Sequence, residues 1–252
     1  MRMLLTNDDG IRSSGLRFLM DVASEFGEVI TVAPDRDQSG VGQSISLTQP
    51  LRIFQSKSDP RVYGLSGTPT DCVYIGLHYV MKDDPPDFIL SGVNTGANLG
   101  WDVHYSGTAA GAREGVLQGI PAAAFSLIPA SEGFPWETIR PWLRKVMTRV
   151  FESPPPEFTF YNVNFPNPHT LDIRGIRATT LGQRNYLKSV DVRSDPRGHE
   201  YLWLGGSGVE MPDVPHSDCN ATTHGFVSVT PIQCDVTDQQ TLSKIQDWST
   251  EI

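Results

Sequence analysis

Residues 3–10 read M-L-L-T-N-D-D-G, an apolar run that gives way at once to turn formers and two adjacent aspartates. A short apolar run that is bounded by turn residues and followed by a helical pattern is typical of a buried strand in a parallel sheet. Asn7 and Gly10 suit a turn at the carboxyl end of that strand. Because ligands of open α/β sheets bind at this end, we expect the chemistry of the protein there.

The adjacent residues Asp8 and Asp9 are the first candidates for that chemistry. Neighbouring strand residues face opposite sides, so both carboxylates reach one ligand only if they lie in the turn. Two carboxylates roughly 5 Å apart repel by about 3 kcal/mol at an effective dielectric near 20. A hard divalent cation with oxygen ligands would offset this repulsion. The alternative is that both residues only cap a helix and form a turn.

The residues that follow complete a βαβ unit. Apolar side chains recur at helical spacing over residues 16–26, Gly27 follows where a helix ends, and residues 29–33 predict a second buried strand. A βαβ unit implies a parallel sheet.

Two glycine-rich polar segments follow predicted strands in the same way. A-P-D-R-D-Q-S-G-V-G-Q-S at 33–44 offers Asp35, Asp37 or Ser39 as oxygen ligands, although a surface loop is the favoured interpretation of this segment alone. S-G-V-N-T-G-A-N-L-G at 91–100 follows a strand predicted at 88–90 and lets backbone N–H groups and amides approach an anion. It matches neither common glycine-rich nucleotide-binding pattern.

A third polar group, Ser106 to Thr108, precedes an alanine-rich stretch that predicts a helix. Hydroxyl and N–H groups at a helix N-terminus favour phosphate, because the exposed donors and the macrodipole attract an anion. Ordinary helix capping is the alternative.

The remaining patterns predict an α/β fold. A capping residue, a proline and an acid start a helix at Thr68. We expect a core at residues 1–175 and a β-rich extension with a terminal helix at 176–252, packed on the core or on a neighbouring subunit. Residues 45–54 and 62–65 predict short strands around the Gln49-Pro50 turn. The other predicted elements are strands at 121–128, 158–165 and 226–232, helices at 136–151 and 242–248, and short β-like runs at 177–208 with a turn at S-D-P-R-G.

Composition excludes several classes of function. The 252 residues carry a formal charge of −9 without a Lys/Arg cluster, which argues against a nucleic-acid backbone binder. The sequence shows no leader and no apolar run of membrane-spanning length, so we expect a soluble cytoplasmic protein. Its three cysteines form no C-x-x-C pair, and we expect them to be reduced thiols. A zinc site is disfavoured because its candidate ligands lack the usual paired spacing; these are His216, Asp218, Cys219 and His224.

Taken together, the motifs resemble the SurE family of nucleotidases. The resemblance rests on L-L-T-N-D-D-G at 4–10, A-P-D-R-D-Q-S-G at 33–40, G-T-P-T-D-C-V at 67–73, S-G-V-N-T-G-A-N-L-G at 91–100 and Y-S-G-T-A-A-G-A-R-E-G at 105–115. It extends over nearly the whole chain through V-N-F-P at 163–166, D-P-R-G at 195–198 and D-C-N-A-T-T-H-G-F-V-S-V-T-P at 218–231. The sequence departs modestly from the family pattern at 37–38, after Thr108 and over 216–224.

The resemblance implies a three-layer, Rossmann-like core with a mostly parallel sheet. It also implies a metal-dependent phosphatase, a 5′-nucleotidase that releases phosphate from nucleoside 5′- and 3′-monophosphates, with short polyphosphate as a further substrate. One Mg²⁺ or Mn²⁺ per subunit is the implied cofactor. The implied assembly is a homodimer or homotetramer that exchanges C-terminal elements, with no nucleic-acid duplex and no membrane as a partner.

By position, the resemblance also implies the site residues. The implied metal ligands are Asp8, Asp9, Ser39 and Asn94, of which Asp8 and Asp9 are catalytic. The implied phosphate-binding residues are Gly40, Gly92, Asn98, Ser106, Gly107 and Thr108.

Three alternatives concern the chemistry. A water activated by the metal is the expected nucleophile, and direct attack by Asp8 ranks second because the D-x-D spacing is missing. A protein that binds or senses a nucleotide without cleaving it would use the same loops. Measured turnover would distinguish the phosphatase from such a sensor. A purely structural oligomer would leave the polar clusters at three strand ends unexplained.

Overall fold

A computed structural model describes residues 1–128, 133–186, 190–204 and 209–248. The strands are β1 (Arg2–Thr6), β2 (Glu28–Pro34), β3 (Ile53–Gln55), β4 (Val62–Leu65), β5 (Phe88–Asn94), β6 (Ala122–Leu127), β7 (Thr159–Phe165), β8 (Gly175–Ala178), β9 (Asn185–Tyr186), β10 (Val190–Ser194), β11 (Glu200–Leu204), β12 (Val209–Glu210) and β13 (Phe226–Gln233). The α-helices are α1 (Ser14–Ala23), α2 (Pro69–Ile75), α3 (Gly107–Leu117), α4 (Trp136–Glu152), α5 (Asp218–Thr223) and α6 (Gln239–Lys244). Two short helices of other types, Gly76–Val80 and Gly100–His104, follow α2 and precede α3.

Nine strands form one sheet in the order β3-β4-β2-β1-β5-β6-β7-β13-β8. The pairs from β4 through β7 are parallel, whereas β3 is antiparallel to β4 and β13 is antiparallel to β7. The predicted α/β fold with a mostly parallel sheet is therefore confirmed. The central order β2-β1-β5 places the carboxyl ends of three parallel strands side by side.

Helices cover both faces of the sheet and give three layers. Met3 and Leu5 of β1 pack with α1 and α4 on one face, whereas Leu4 packs with α2 and α3 on the other. This alternation follows from the period of two along a strand. Burial of both faces explains why the strand reads as a continuous apolar run.

The helix starts follow their capping signals. Ser13 accepts a hydrogen bond from the backbone N–H of Leu16 and caps α1. Thr68 and Asp71 form the predicted capping box of α2, with Pro69 in its first turn.

Several element boundaries differ from those predicted. The strand predicted at 45–54 shrinks to Ile53–Gln55, because the N–H and hydroxyl of Ser46 bond to the Asp71 carboxylate instead of to a neighbouring strand. The strand predicted at 88–90 continues to Asn94. The terminal helix begins at Gln239, earlier than predicted, since Asp238 caps it, and a separate 3₁₀ turn covers Gln246–Trp248.

The C-terminal part of the chain contributes to the main sheet. β13 lies between β7 and β8 in that sheet, so the sheet continues beyond residue 175. The S-D-P-R-G turn joins the antiparallel strands β10 and β11 as expected, while residues 187–189 and 205–208 of the predicted β-like region lie outside the described residues. The division at residue 175 and the role of the extension in assembly stay predictions.

Two further expectations concern the cysteines and the membrane. Cys72, Cys219 and Cys234 are free thiols. Within the described ranges, no helix has both the length and the apolarity that a membrane crossing requires.

Candidate functional site

The candidate site lies where the loops after β2, β1 and β5 meet. The backbone N–H of Gln38 donates to the Asp8 carbonyl at 2.8 Å, which joins the loop after β2 to the loop after β1. The backbone N–H of Thr95 donates to Asp9 Oδ2 at 3.1 Å, which joins the loop after β1 to the loop after β5. Asp8 and Asp9 therefore contact the immediate neighbours of Ser39 and Asn94, the other two predicted metal ligands.

Asp8 is the most buried acid of this group, with 4 % of its surface exposed. Its Oδ1 accepts a hydrogen bond of 2.5 Å from the Thr108 hydroxyl. Burial raises the pKa of Asp8 from 3.8 to about 6, although the hydrogen bond from Thr108 acts in the opposite direction, and repulsion from Asp9 adds to the rise. A carboxylate in this position gains strongly from a nearby positive charge.

Asp9 is more open to solvent and is held by Thr95. Both the backbone N–H and the hydroxyl of Thr95 donate to Asp9 Oδ2, each at 3.1 Å. Burial raises the pKa of Asp9 despite these bonds, and the negative charge of Asp37 contributes to the rise. Sequence reasoning missed Thr95, although a hydroxyl residue inside the glycine-rich segment was the available signal.

The turn that carries both aspartates is fixed by Asn7 and Gly10. The Asn7 amide donates to the carbonyl of Gly10 at 3.1 Å and to the hydroxyl of Ser13 at 2.8 Å. Gly10 has a φ of +92°, and a Cβ there would lie 3.1 Å from the carbonyl carbon of Arg36. The turn thus needs glycine both for its backbone conformation and for its close packing against the loop after β2.

Ser39 and Asn94 each have a partner that leaves an oxygen available. The Ser39 hydroxyl donates to Asp37 Oδ1 at 2.6 Å, so its lone pairs remain free to bind a cation. The Asn94 amide nitrogen donates to the carbonyl of Gly96 at 2.8 Å, which leaves its Oδ1 as the available ligand atom. Asn94 is the last residue of β5, whereas the sequence pattern predicts a loop at this position.

The N-terminus of α3 closes the site beside Asp8. Ser106 caps α3 by accepting from the Ala109 N–H at 3.0 Å, as the capping alternative expects. A Cβ on Gly107 would lie 2.7 Å from the Asp8 Cβ, so the helix start packs directly on the aspartate. This arrangement directs the positive end of the helix dipole at the candidate site.

The other predicted phosphate-binding residues differ in their surroundings. Gly40 is exposed and has a φ of +73°. Gly92 lies inside β5, and a Cβ there would lie 2.3 Å from the Phe125 carbonyl oxygen. Close packing of β5 on β6 is therefore one physical reason for this glycine.

Asn98 is held in a buried amide network. Its backbone N–H donates to Asn164 Oδ1 at 2.8 Å, its amide donates to the Ser126 hydroxyl at 2.8 Å, and its carbonyl accepts from the Asn162 amide at 2.8 Å. Sequence reasoning missed Ser126, Asn162 and Asn164. The signal for Asn162 and Asn164 is their placement at alternate positions of β7, which is otherwise largely apolar.

The surroundings of the candidate zinc ligands, which are His216, Asp218, Cys219 and His224, give no support to a zinc site. The Asp218 carboxylate is occupied by backbone N–H groups. Burial raises the pKa of Cys219 to about 12, which keeps this thiol protonated. Across the described ranges, no group of three or more His, Cys, Asp or Glu side chains could hold a metal ion. A metal beside Asp8 and Asp9 would therefore need hydroxyl, amide or water oxygens as its other ligands.

Comparisons with known proteins agree on one family. The family model described as "Survival protein SurE" matches residues 3–188. The 5′-nucleotidase SurE of Geotalea daltonii is 41 % identical over 248 residues, which cover 98 % of this chain and 99 % of the relative. The 5′-nucleotidase SurE of Vibrio parahaemolyticus is 41 % identical over 251 residues, which cover 100 % of this chain and 95 % of the relative. The crystal structure of the SurE protein from Aquifex aeolicus is similar with a TM-score of 0.84 at 37 % identity, and the match covers 98 % of this chain and 99 % of that chain.

Proposed function

The chain belongs to the SurE family, and we propose that it is a divalent-metal-dependent phosphatase that releases phosphate from nucleoside 5′- and 3′-monophosphates. Short polyphosphate is a further proposed substrate. The observation that carries the proposal is the buried Asp8, which lies beside Asp9 and against the N-terminus of α3. The relatives named 5′-nucleotidase, which match almost the whole chain, support the same reaction.

The donor atoms at the site fit Mg²⁺ or Mn²⁺. Asp8, Asp9, Ser39 and the Asn94 Oδ1 would supply only hard oxygen ligands, which these ions prefer. Among the described residues, no lysine, arginine or histidine forms an ion pair with Asp8 or Asp9. Burial raises the pKa of both acids, and a nearby positive charge would oppose this rise. When bound, the ion would supply that charge and offset the charge of the phosphate oxygens.

The residues of the chain would bind and orient the phosphate. The start of α3 and the glycine-rich loops present N–H groups, which suit an anion and need no rearrangement during the reaction. Thr108 and Gly107 fix the position of Asp8. These contacts would hold the phosphorus in line with the attacking group.

Asp9 is suited to accept a proton from an attacking water. Both hydrogen bonds from Thr95 go to Asp9 Oδ2, so Oδ1 remains available. A carboxylate oxygen that has no hydrogen-bond donor can accept such a proton. Direct attack by Asp8 is the alternative, and a phosphoryl group on Asp8, detected by mass spectrometry after an acid quench, would favour it.

The test is phosphate release from a panel of nucleoside monophosphates and from short polyphosphate, with Mn²⁺, Mg²⁺ or EDTA. We expect metal-dependent release by the wild type and its loss in Asp9→Asn. Asp35→Asn is the matched control, because this exposed carboxylate belongs to a loop of the same site. Absence of release with either metal would refute the proposal, and nucleotide binding without release would identify a sensor. Equal loss in Asp35→Asn would show that the ligand assignment is wrong.

We also propose a homodimer or homotetramer. The hairpin β10–β11 presents exposed apolar side chains, including Leu202 at 63 % and Leu204 at 93 % exposure. Such a surface favours burial against a second copy. Light scattering tests this: we expect a dimer or tetramer for the wild type and a smaller species for Leu202→Glu. A monomeric wild type would contradict the proposal.

A further inference from the structure

Asp218 is a buried carboxylate that is far in sequence from the site loops. It has no exposed surface and lies at the start of α5. Its Oδ2 accepts from the Gly100 N–H at 2.8 Å, whereas its Oδ1 accepts from the N–H groups of Gly182 at 2.7 Å and Cys219 at 2.8 Å. No ion pair in the described part of the chain involves Asp218, so these backbone donors satisfy its charge.

Gly100 is connected to the candidate site through a short, hydrogen-bonded segment. It begins the 3₁₀ helix Gly100–His104, and the Ser106 N–H donates to the Asp102 carbonyl at 3.0 Å. Ser106 then caps α3, whose residue Thr108 donates to Asp8. A displacement of Gly100 would therefore move the start of α3 relative to Asp8.

A second set of contacts fixes the same segment from the same side. Gly100 has a φ of +55°, and a Cβ there would lie 2.7 Å from the Gly182 carbonyl oxygen. Arg184 forms an ion pair with Asp102, and the Tyr186 hydroxyl donates to Asp102 Oδ2 at 2.7 Å. Asp218 links the two segments, because its two oxygens bind Gly100 and Gly182 separately.

We infer that Asp218 is a positioning residue, which fixes Gly100 so that the 3₁₀ helix places Ser106, Gly107 and Thr108 around the phosphate. The inference rests on the proposed function, since it assigns these three residues to phosphate binding. It gives residues 180–186 and α5 a part in the site, although neither segment contains any of the metal ligands or phosphate-binding residues that the family resemblance implies.

The substitution Asp218→Asn tests the inference with almost no change in shape. An amide has one acceptor oxygen, and the two N–H groups that donate on the Oδ1 side favour the oxygen there. The amide nitrogen then faces the Gly100 N–H, which loses its acceptor. Ser217→Ala is the matched control, because Ser217 is buried and caps the same helix by accepting from the Asn220 N–H, whereas the Gly100 N–H donates to Asp218.

We expect three changes in Asp218→Asn. Amide exchange in peptides covering 100–106 becomes about tenfold faster. The Kd for inorganic phosphate with Mg²⁺, measured by calorimetry, and the KM for a nucleoside monophosphate each rise about tenfold. The value of kcat falls less than KM rises, because the two aspartates stay in place, whereas general destabilisation would leave KM unchanged. Ser217→Ala leaves all of these values unchanged.

Gly100→Ala disturbs the contact of Gly100 with Gly182 and Asp218 from the other side. This variant replaces Asp218→Asn in the test if Asp218→Asn does not fold. A phosphate Kd equal to that of the wild type in either folded variant would overturn the inference, and so would faster exchange without loss of phosphate affinity. If the wild type binds phosphate but releases none from nucleoside monophosphates, the proposed function fails. The phosphate Kd and the exchange rates then still decide the inference. A wild type that binds no phosphate would overturn the inference, whereas phosphate release from nucleoside monophosphates alone decides the proposed function.

Discussion

The substitution Asp8→Asn should stabilise the metal-free protein while it abolishes phosphate release. Asp8 is 4 % exposed, and burial raises its pKa from 3.8 to about 6. A carboxyl group whose pKa is higher in the folded state binds its proton more tightly there. The stability that it contributes is complete below the unfolded value and is lost as the pH rises through the folded value. At neutral pH, the folded protein therefore bears an unfavourable buried charge that an asparagine would remove.

The two pKa values give the expected magnitude. A difference of about two pH units corresponds to about 3 kcal/mol when Asp8 is fully ionised. Most of this effect develops between the two pKa values, so we expect Asp8→Asn to be more stable than the wild type by about 1 kcal/mol at pH 4.5 and about 3 kcal/mol at pH 7.5. Asparagine keeps an oxygen that can accept the Thr108 hydroxyl, so the packing is preserved.

Urea unfolding in EDTA, followed by tryptophan fluorescence across this pH range, measures the difference in free energy of unfolding. Taking the difference between variant and wild type cancels the titration of the acids that do not interact with Asp8. With Mg²⁺ at about 100 times its Kd, the wild type should regain about 2.7 kcal/mol, and the variant should gain much less. A variant that is no more stable than the wild type at pH 7.5 without metal would refute the reasoning.

Three other substitutions test single contacts. Thr108→Val removes the hydroxyl donor to Asp8, so the pKa of Asp8 should rise further and the acidic limb of the pH–rate profile should move to higher pH; Thr108→Ser should restore it. Gly107→Ala places a Cβ 2.7 Å from the Asp8 Cβ and should lower kcat/KM about tenfold or more, and unchanged kinetics would show that the helix start can shift freely. Asp71→Ala removes the carboxylate that accepts two hydrogen bonds from Ser46 and one from the Thr68 N–H in the capping box, and should cost about 3 kcal/mol in urea unfolding. An equal loss in Asp59→Ala, at an exposed ion pair, would contradict the assignment to Asp71.

Element types could be predicted where local signals are strong. The capping box at Thr68 starts α2, and the S-D-P-R-G turn joins β10 and β11, because both signals involve residues close together in the chain. The local pattern predicts short strands around the Gln49-Pro50 turn, but Ser46 bonds to Asp71, which is 25 residues away. Such a partner is invisible to local propensity.

At the candidate site, too, some residues could be predicted from local sequence and others depend on contacts between distant parts of the chain. Asp8 and Asp9 could be selected from sequence because polar residues after a buried strand of a parallel sheet must lie at its carboxyl end. Thr95, which holds Asp9, was missed because its hydroxyl has no distinctive spacing from the aspartate. The roles of both aspartates in catalysis and metal binding stay predictions.

The sequence by itself determined the α/β class, the parallel centre of the sheet and the loops that meet at its edge, because periodicity, capping and turn residues act over a few positions. Only the tertiary structure decided that β13 enters the sheet antiparallel to β7, that Asp8 is buried against α3, and that Asp218 holds Gly100. Asp218 and Gly100 are 118 residues apart. Contacts of this kind depend on how whole elements pack and on which buried polar group lacks a partner, and the local pattern around either residue contains no record of the other.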